Sequence, residues 1–260
     1  MPDSPTAEEA IANIRSLITR PPEQSAAYGN GLHFAIHQLG EQSRQIAGDP
    51  ELMSAVLELS EEISAYRGKG CRIAAIRMAR VFEYLTILLT DELRHSGERA
   101  VSIAAARDAD PSAKGTWEAL ERLAARAVGC IGGPASRSLH IDRLRTDAWT
   151  QLSMIAEVVR EPAHLELALE TGGDAKISSD VRESAVGFIP EYWGEIDPDE
   201  ATVKLLSAVQ TAPSTRGLLV SVLQAQIDLG LSNEFAALAA VGDWDDDKEY
   251  PESGTGFKHF

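Results

Sequence analysis

The sequence has few cysteines, few aromatic residues and no sustained β-strand pattern. Cys71 and Cys130 are the two cysteines among 260 residues, and neither belongs to a tandem metal-binding motif. We therefore predict two buried thiols in a reducing compartment, not a disulfide framework. Aromatic residues make up 6% of the chain, and alternating β-branched residues never extend beyond about four positions. These deficits argue against a disulfide-stapled fold and against a sheet.

The sequence also lacks the patterns of a secretion leader and of a membrane span. Met1–Ala10 has no basic residue followed by an apolar run, which is the arrangement of a signal peptide. The most apolar stretch of the chain contains Arg77, Arg80 and Glu83, so it is not predicted to cross a bilayer. We expect a cytoplasmic protein that does not engage a membrane.

Basic residues are scarce relative to acidic ones. The chain has 24 Lys and Arg against 40 Asp and Glu, which gives a formal net charge of −16. A surface of this average sign repels nucleic acid and anionic lipid. We therefore expect contact with nucleic acid only through a partner protein. Ala and Leu are abundant, and both favour helices.

Helix-start signals recur along the chain. Thr6 and Glu9 have the spacing of a capping box, and Asp49-Pro50-Glu51 combines a cap, a first-turn proline and a first-turn acid. The three Asp-Pro starts begin at positions 49, 110 and 197, so they do not mark a fixed repeat. We predict an all-α protein of about eleven or twelve helices, arranged as irregular antiparallel helix pairs.

The segment from Gly70 to Ser96 is the most apolar part of the chain. Ala74, Met78, Phe82 and Leu85 fall on one helical face, and further apolar residues lie on the other face beside arginines. We predict that this segment is a buried central helix around which the other helices pack.

Two breaks divide the chain in the predicted domain organisation. A Gly-rich loop near 172–178 separates a main helical domain, 1–172, from a smaller helical subdomain, 173–241. An acidic, aromatic tail, 242–260, follows. The division rests on loop composition and on the changed charge of the tail.

One short region is basic in this acidic chain. From Ile63 to Phe82 there is no acid, and five basic residues occur there: Arg67, Lys69, Arg72, Arg77 and Arg80. Two interpretations remain open for them. They pair with acids inside the fold, as Arg80 could with Glu83 at i+3, or they bind an anion or an acidic partner.

The tail has the composition of a docking segment. Residues 242–260 contain six acids and two lysines, which gives a formal charge of −4. The residues predicted to dock on a partner are Trp244, Asp245, Asp246, Asp247, Tyr250, Phe257 and Phe260. A solvated tail without a contact is the alternative.

Two Glu-x-x-His patterns suggest a metal site. They are Glu92 with His95 and Glu161 with His164, and paired motifs of this kind build di-iron sites in helical bundles. Chance matches are expected in a Glu-rich chain, and proline occupies the second motif. We therefore predict no cofactor, and we retain these four residues only as a low-ranked metal set.

The sequence indicates no catalytic residue set, and the leading functional hypothesis is non-catalytic. We predict a helical scaffold, adaptor or subunit of a cytoplasmic protein assembly that binds a protein partner or itself. A helical metal-binding protein or enzyme with Glu and His ligands is the alternative. A regulator of a nucleic-acid machine, acting through the basic region, is the third hypothesis.

Overall fold

The computed structural model describes residues 5–19, 28–66, 70–94, 99–132, 139–174 and 176–192. Within them, 86% of residues are helical and no strand is formed, which confirms the all-α class. The helices are α1 (Ala7–Thr19), α2 (Tyr28–Glu41), α3 (Ser43–Ala47), α4 (Pro50–Ala65), α5 (Cys71–Leu93), α6 (Ile103–Ala109), α7 (Lys114–Ile131), α8 (Leu139–Ala156), α9 (Pro162–Gly173) and α10 (Ser179–Phe188). Short 3₁₀ turns cover Pro111–Ala113 and Ile189–Tyr192. The count of eleven or twelve helices for the whole chain stays a prediction.

The predicted helix starts are formed by hydrogen bonds. The Glu9 carboxylate accepts from the Thr6 backbone N–H at 2.9 Å, and the Thr6 hydroxyl accepts from the Glu9 N–H at 3.3 Å. This is the reciprocal pattern of a capping box. Asp49 Oδ1 accepts from the N–H groups of Glu51 and Leu52 at 2.8 and 3.2 Å. Both caps satisfy backbone donors that have no partner within the helix.

The helical spacing of Leu32, Ile36, Leu39 and Ile46 predicts one helix from Leu32 to Ala47, but the structure divides this segment in two. The chain turns at Gln42, whose N–H bonds to the Leu39 carbonyl at 3.1 Å. The Ser43 hydroxyl donates to the Gly40 carbonyl at 2.6 Å and thereby competes with the regular helical ladder. As a result, α3 leaves the axis of α2 and packs against α5.

Helix α5 is the centre of the described bundle. It contacts α2, α3, α4, α7 and α8. Its inner side is buried and consists of Ala74, Met78, Ala79, Val81, Phe82, Leu85, Thr86, Leu89, Thr90 and Leu93. Gly70 precedes it with φ of 84°, a left-handed conformation that residues with a Cβ rarely adopt.

Two threonines lie within the buried side of α5. Thr86 and Thr90 each donate a hydroxyl hydrogen bond to the carbonyl four residues earlier, at 2.8 and 2.9 Å. The Thr86 hydroxyl also accepts from Gln151 Nε2 of α8 at 2.9 Å. The amide of Gln151 is therefore satisfied although only 3% of the residue is exposed.

The end of the described chain packs onto α8 and α9. Trp149 of α8 and Phe188 of α10 have ring centroids 5.3 Å apart in a tilted arrangement. The buried Arg182 donates from Nε to the Gly172 carbonyl at 3.0 Å, which joins α10 to α9. The predicted division at 172–173 stays a prediction, because residues 193–241 lie outside the described part.

The apolar stripe from Ile141 to Val159 predicts a long helix over 136–160, but the helix in this segment ends earlier. α8 stops at Ala156, and α9 restarts with Pro162 in its first turn. Between them, Arg160 N–H bonds to the Ala100 carbonyl at 2.9 Å, and Ala100 N–H bonds to the Val158 carbonyl at 2.9 Å. This isolated bridge fixes the connection. In the described part of the chain, no helix combines the length and apolar character that crossing a bilayer requires.

Candidate functional site: a groove along the outer side of the central helix

The outer side of α5 is not covered in the way the sequence predicted. Ile73 is 49% exposed and Tyr84 is 59% exposed. Eleven residues separate them, which is about three helical turns, so they share one stripe with Arg77 and Leu88. The prediction of a fully buried central helix therefore holds for the inner side only.

A groove of about 470 Å³ lies where α2, α3 and α5 meet. It is lined by His37, Gly40, Glu41, Ser43, Arg44, Tyr84, Ile87 and Leu88. The turn at Gln42 shapes it, because residues on both sides of that turn line its wall. The side from α5 is apolar and aromatic, and the side from α2 and α3 is charged.

Helix α2 extends the exposed apolar area beyond the groove. Phe34 is 61% exposed and lies one turn before His37. His33 is near Arg77 of α5, since burial and then the Arg77 charge lower the pKa of His33. We call Phe34, His37, Arg44, Ile73, Arg77, Tyr84 and Leu88 together the α2–α5 surface.

The arginines of the α2–α5 surface form no ion pair within the described part of the chain. Arg44 and Arg77 are exposed, and neither forms an ion pair with any described residue. Several arginines elsewhere face carboxylates: Arg15–Glu62 at 3.0 Å, Arg94–Asp91 at 2.8 Å, Arg107–Glu121 at 3.1 Å and Arg143–Asp147 at 3.1 Å. Arg44 lines the groove together with Glu41, and Arg77 lies on the α5 stripe that carries Tyr84.

The five predicted basic-site residues have different surroundings. Arg80 pairs with Glu83, so the predicted i+3 internal pair is confirmed. Arg72 and Arg77 are exposed without an ion pair to any described residue. Arg67 and Lys69 lie outside the described residues. Only Arg77 and Arg80 lie on the stripe that carries Tyr84.

Buried charge lies on the opposite, inner side of α5. The Arg126 guanidinium is 3.8 Å from the centre of the Phe82 ring, and its Nε donates to the Ser60 hydroxyl at 3.4 Å. Burial lowers the pKa of Arg126 to about 10. A cation over an aromatic face stabilises packing, and this contact joins α7 to α5.

Several titratable side chains of the interior are shielded from water. Both cysteines are free and half-buried, so the prediction of buried thiols was wrong in degree. Burial raises the pKa of Cys130, and the neutral thiol is a poor nucleophile. Burial also raises the pKa of Asp147, whose carboxylate bonds Arg143 Nε at 3.1 Å.

The predicted metal ligands that lie in the described residues form contacts between helices or are buried. Glu92 accepts from the Thr116 hydroxyl at 3.0 Å, and Glu161 accepts from the Ile103 N–H at 2.6 Å, at the start of α6. His164 is buried, and its burial lowers its pKa to about 4. His95 lies outside the described residues. Among the residues described, no three His, Cys, Asp or Glu side chains converge on a metal position.

A di-iron site needs further carboxylates, for which the sequence offers Glu58, Glu61, Glu62, Glu118 and Glu121, and most of these have other partners. Glu58 and Glu62 face Arg15 at 3.4 and 3.0 Å. Glu118 faces Lys114 at 3.7 Å, and Glu121 faces Arg107 at 3.1 Å. These ion pairs join α1 to α4 and α6 to α7, or lie within α7. The glutamates therefore have structural roles. The metal set stays a prediction without a geometric centre.

The two histidines of α2, His33 and His37, have the spacing of a metal pair, but His37 contacts a carboxylate of its own helix. His33 and His37 are one turn apart, as a metal pair would be. His37 Nε2 lies 3.8 Å from Glu41 of the same helix. His37 and Glu41 both line the groove, where they form a polar edge.

Sequence reasoning missed several residues of this surface. Phe34, Arg44 and Leu88 are not among the predicted site residues, although the apolar pattern of α5 predicts Ile73 and Tyr84 on the face opposite to Phe82. The available signal was the spacing of Ile73, Arg77, Tyr84 and Leu88 on one stripe. The tail residues predicted for docking, Trp244 to Phe260, lie outside the described residues.

Comparison of this chain with protein-family models, with curated proteins and with solved structures finds no match. The described residues form an all-α bundle of helices. The candidate site of this protein rests on the geometry of the α2–α5 surface.

Proposed function

We propose that this protein is a non-catalytic helical adaptor, scaffold or subunit of a cytoplasmic protein assembly, and that it binds an acidic protein segment on the α2–α5 surface. The observation that carries the proposal is the combination of exposed apolar side chains with Arg44 and Arg77, which form no ion pair with a described residue, although Glu41 lines the groove beside Arg44. Tyr84, 59% exposed, shares the groove with Arg44, and Arg77 is on the same helical stripe as Tyr84.

The division of labour within such a contact follows from physical chemistry. Exposed ion pairs contribute only about 0–1 kcal/mol each, so Arg44 and Arg77 select the sign of the partner and speed its approach. Apolar burial contributes about 25 cal/mol per Å², so Tyr84 and Leu88 supply most of the affinity. Aromatic residues and arginine are the types most often found at the energetic centre of interfaces.

The interior supports a non-catalytic role. Burial raises the pKa of Cys130 and lowers the pKa of His164 to about 4, and Glu161 accepts from the Ile103 N–H at the start of α6. Each of these groups has a packing or hydrogen-bonding role in the bundle. The metal-enzyme alternative is separated by elemental analysis. We expect iron, manganese and zinc each well below one equivalent in protein purified without chelator, and stoichiometric metal that is lost in His164→Ala would contradict the proposal.

The proposal is tested by quantitative affinity purification from the native host with three forms of the full chain. These are the unmodified protein, Tyr84→Ala and Val101→Ala. Val101 is 71% exposed and does not line the groove, so it is a control of matched exposure. We expect one or more proteins to be retained by the unmodified chain and by Val101→Ala, and to fall at least tenfold in Tyr84→Ala.

Two further observations would decide the chemistry of the partner. Arg77→Glu is expected to reduce retention of the same proteins, and the reduction should shrink at high salt, because screening weakens exposed charge. Equal recovery with Tyr84→Ala and with the unmodified chain would contradict the proposed docking surface. Recovery of nucleic acid that depends on Arg77 would favour the third hypothesis.

A further inference from the structure

The α2–α5 surface and residues 242–260 have opposite and matching character. The surface combines exposed Phe34, Ile73 and Tyr84 with Arg44 and Arg77, which form no ion pair with a described residue, and has Glu41 at one edge of its groove. Residues 242–260 contain six acids, two lysines and four aromatic side chains within nineteen positions. The acids of residues 242–260 are opposite in charge to the arginines of the α2–α5 surface, and their aromatic rings match its apolar groove. The two regions are therefore complementary in charge and in polarity.

The connecting chain is long enough for the two regions to meet within one molecule. Between Tyr192, the last described residue, and Trp244 there are 52 residue steps. A fully extended chain of that length spans about 170 Å, and a fully helical one about 78 Å. A domain of about 170 residues has a radius of gyration of about 15 Å. No point on the described bundle is therefore out of reach.

We propose that residues 242–260 dock on the α2–α5 surface of their own chain and thereby compete with the acidic protein partner. This inference rests on the proposed function, because it assigns an internal occupant to the same surface. Trp244 and Phe257 enter the apolar part of the groove, and the run Asp245 to Asp247 faces Arg44 and Arg77.

Tethering makes an internal contact effective even where each interaction is weak. A linked segment acts at an effective concentration of roughly millimolar for linkers of suitable length. A free partner must exceed that competition, so the tail raises the partner concentration needed for binding. Aromatic rings bury about 150–250 Å² each, so the aromatic residues set the strength of the contact and the acids set its orientation.

The first experiment places a photo-reactive benzophenone amino acid at Tyr84 of the full chain. We expect irradiation to yield a cross-link to residues 242–260, identified by mass spectrometry in the monomeric band. The matched control carries the same group at Val101, which is exposed and outside the groove, and should give at least tenfold less of this cross-link. A cross-link found only in the dimeric band would overturn the internal assignment in favour of a second copy.

The second experiment measures binding of a fluorescent synthetic peptide with the sequence of residues 242–260. In the unmodified chain the internal segment competes, so we expect weak binding. In a full chain with Trp244→Ala and Phe257→Ala, binding of the peptide should tighten at least tenfold. Equal affinity for the two chains would mean that residues 242–260 do not occupy the surface.

Charge variants establish where the peptide binds. Arg77→Glu added to the Trp244→Ala, Phe257→Ala chain should weaken peptide binding at least fivefold. Arg122→Glu is the control, since Arg122 is an exposed α7 arginine that meets no carboxylate among the described residues. An equal loss in both variants would show a non-specific charge effect and would contradict the proposal.

Two outcomes separate this inference from the proposed function. If the cross-link and the peptide competition are absent while Tyr84→Ala still loses its protein partner, the internal occupant is wrong and the docking surface stands. If Tyr84→Ala loses no partner but the internal cross-link forms, the surface serves the chain's own tail alone, and the adaptor function is wrong.

Discussion

The two sides of α5 come from the same apolar stretch, yet they have opposite surroundings. The inner side carries Phe82 and Leu85, which are fully buried against neighbouring helices. The outer side carries Tyr84, 59% exposed, only two residues from Phe82 in sequence. Burial on α5 is therefore decided by how many helices pack on each face and not by the hydropathy of the segment.

Polar groups follow the same contrast. On the inner side every described polar contact is internal, such as Gln151 to Thr86 and Arg126 over Phe82. On the outer side Arg77 has no ion pair with a described residue. The internal contacts of the inner side join α5 to α7 and α8.

The largest expected effect tests the inner side. Phe82→Ala should lower the free energy of unfolding by about 3–5 kcal/mol, because it leaves a cavity and removes the ring beneath Arg126. Chemical denaturation followed by circular dichroism measures the change. A loss below about 0.5 kcal/mol would mean that the inner side of α5 is not packed as described.

The pH dependence of stability tests the burial of His164 in α9. Burial lowers the pKa of His164 to about 4, below its ordinary value of 6.5. The unfolded chain therefore binds a proton at a pH where the native chain does not. Native stability is lost as the pH falls from about 6.5 to about 4, and a difference of about 2.5 between the two pKa values corresponds to about 3 kcal/mol.

The measurement for His164 is the pH dependence of unfolding in the native sequence and in His164→Gln. Carboxylates titrate in the same range, so the difference between the two proteins isolates the imidazole. We expect the stability advantage of the native sequence to shrink between pH 7 and pH 4. Parallel pH profiles would show that His164 is accessible to protons in the folded state.

A smaller effect is expected for the polar pair on the inner side. Thr86→Val removes the acceptor of Gln151 and should cost about 1–3 kcal/mol, since a buried amide is left without that bond. Adding Gln151→Leu should recover part of the loss, which a double-mutant cycle measures. Additive losses would mean that the two side chains do not interact.

The smallest expected effect on stability belongs to the outer side. Tyr84→Ala and Arg77→Glu should each change the free energy of unfolding by no more than about 0.5 kcal/mol, as exposed substitutions usually do. The same variants are expected to change partner binding strongly. A stability loss near that of Phe82→Ala would instead show that Tyr84 belongs to the packed core of the bundle.

Much of the fold was predictable from local physics. The capping pair Thr6 and Glu9 and the start at Asp49 are short-range hydrogen-bond arrangements, so sequence spacing specifies them. The inner stripe of α5 follows from helical periodicity. The break at Gln42 was missed because it depends on the Ser43 hydroxyl competing for the Gly40 carbonyl, and no strong sequence signal marks that competition.

By itself, the sequence determined the all-α class, the principal helix caps and the set of α5 residues that share a face. Only the tertiary structure decided which face is covered, because coverage depends on helices distant in sequence, such as α2 and α8. It also decided which arginines are neutralised. Arg80 meets Glu83 on its own helix, whereas Arg15 finds Glu62 from 47 residues away, and Arg77 meets no carboxylate among the described residues. Periodicity fixes an angle around a helix axis, and packing alone fixes what lies at that angle.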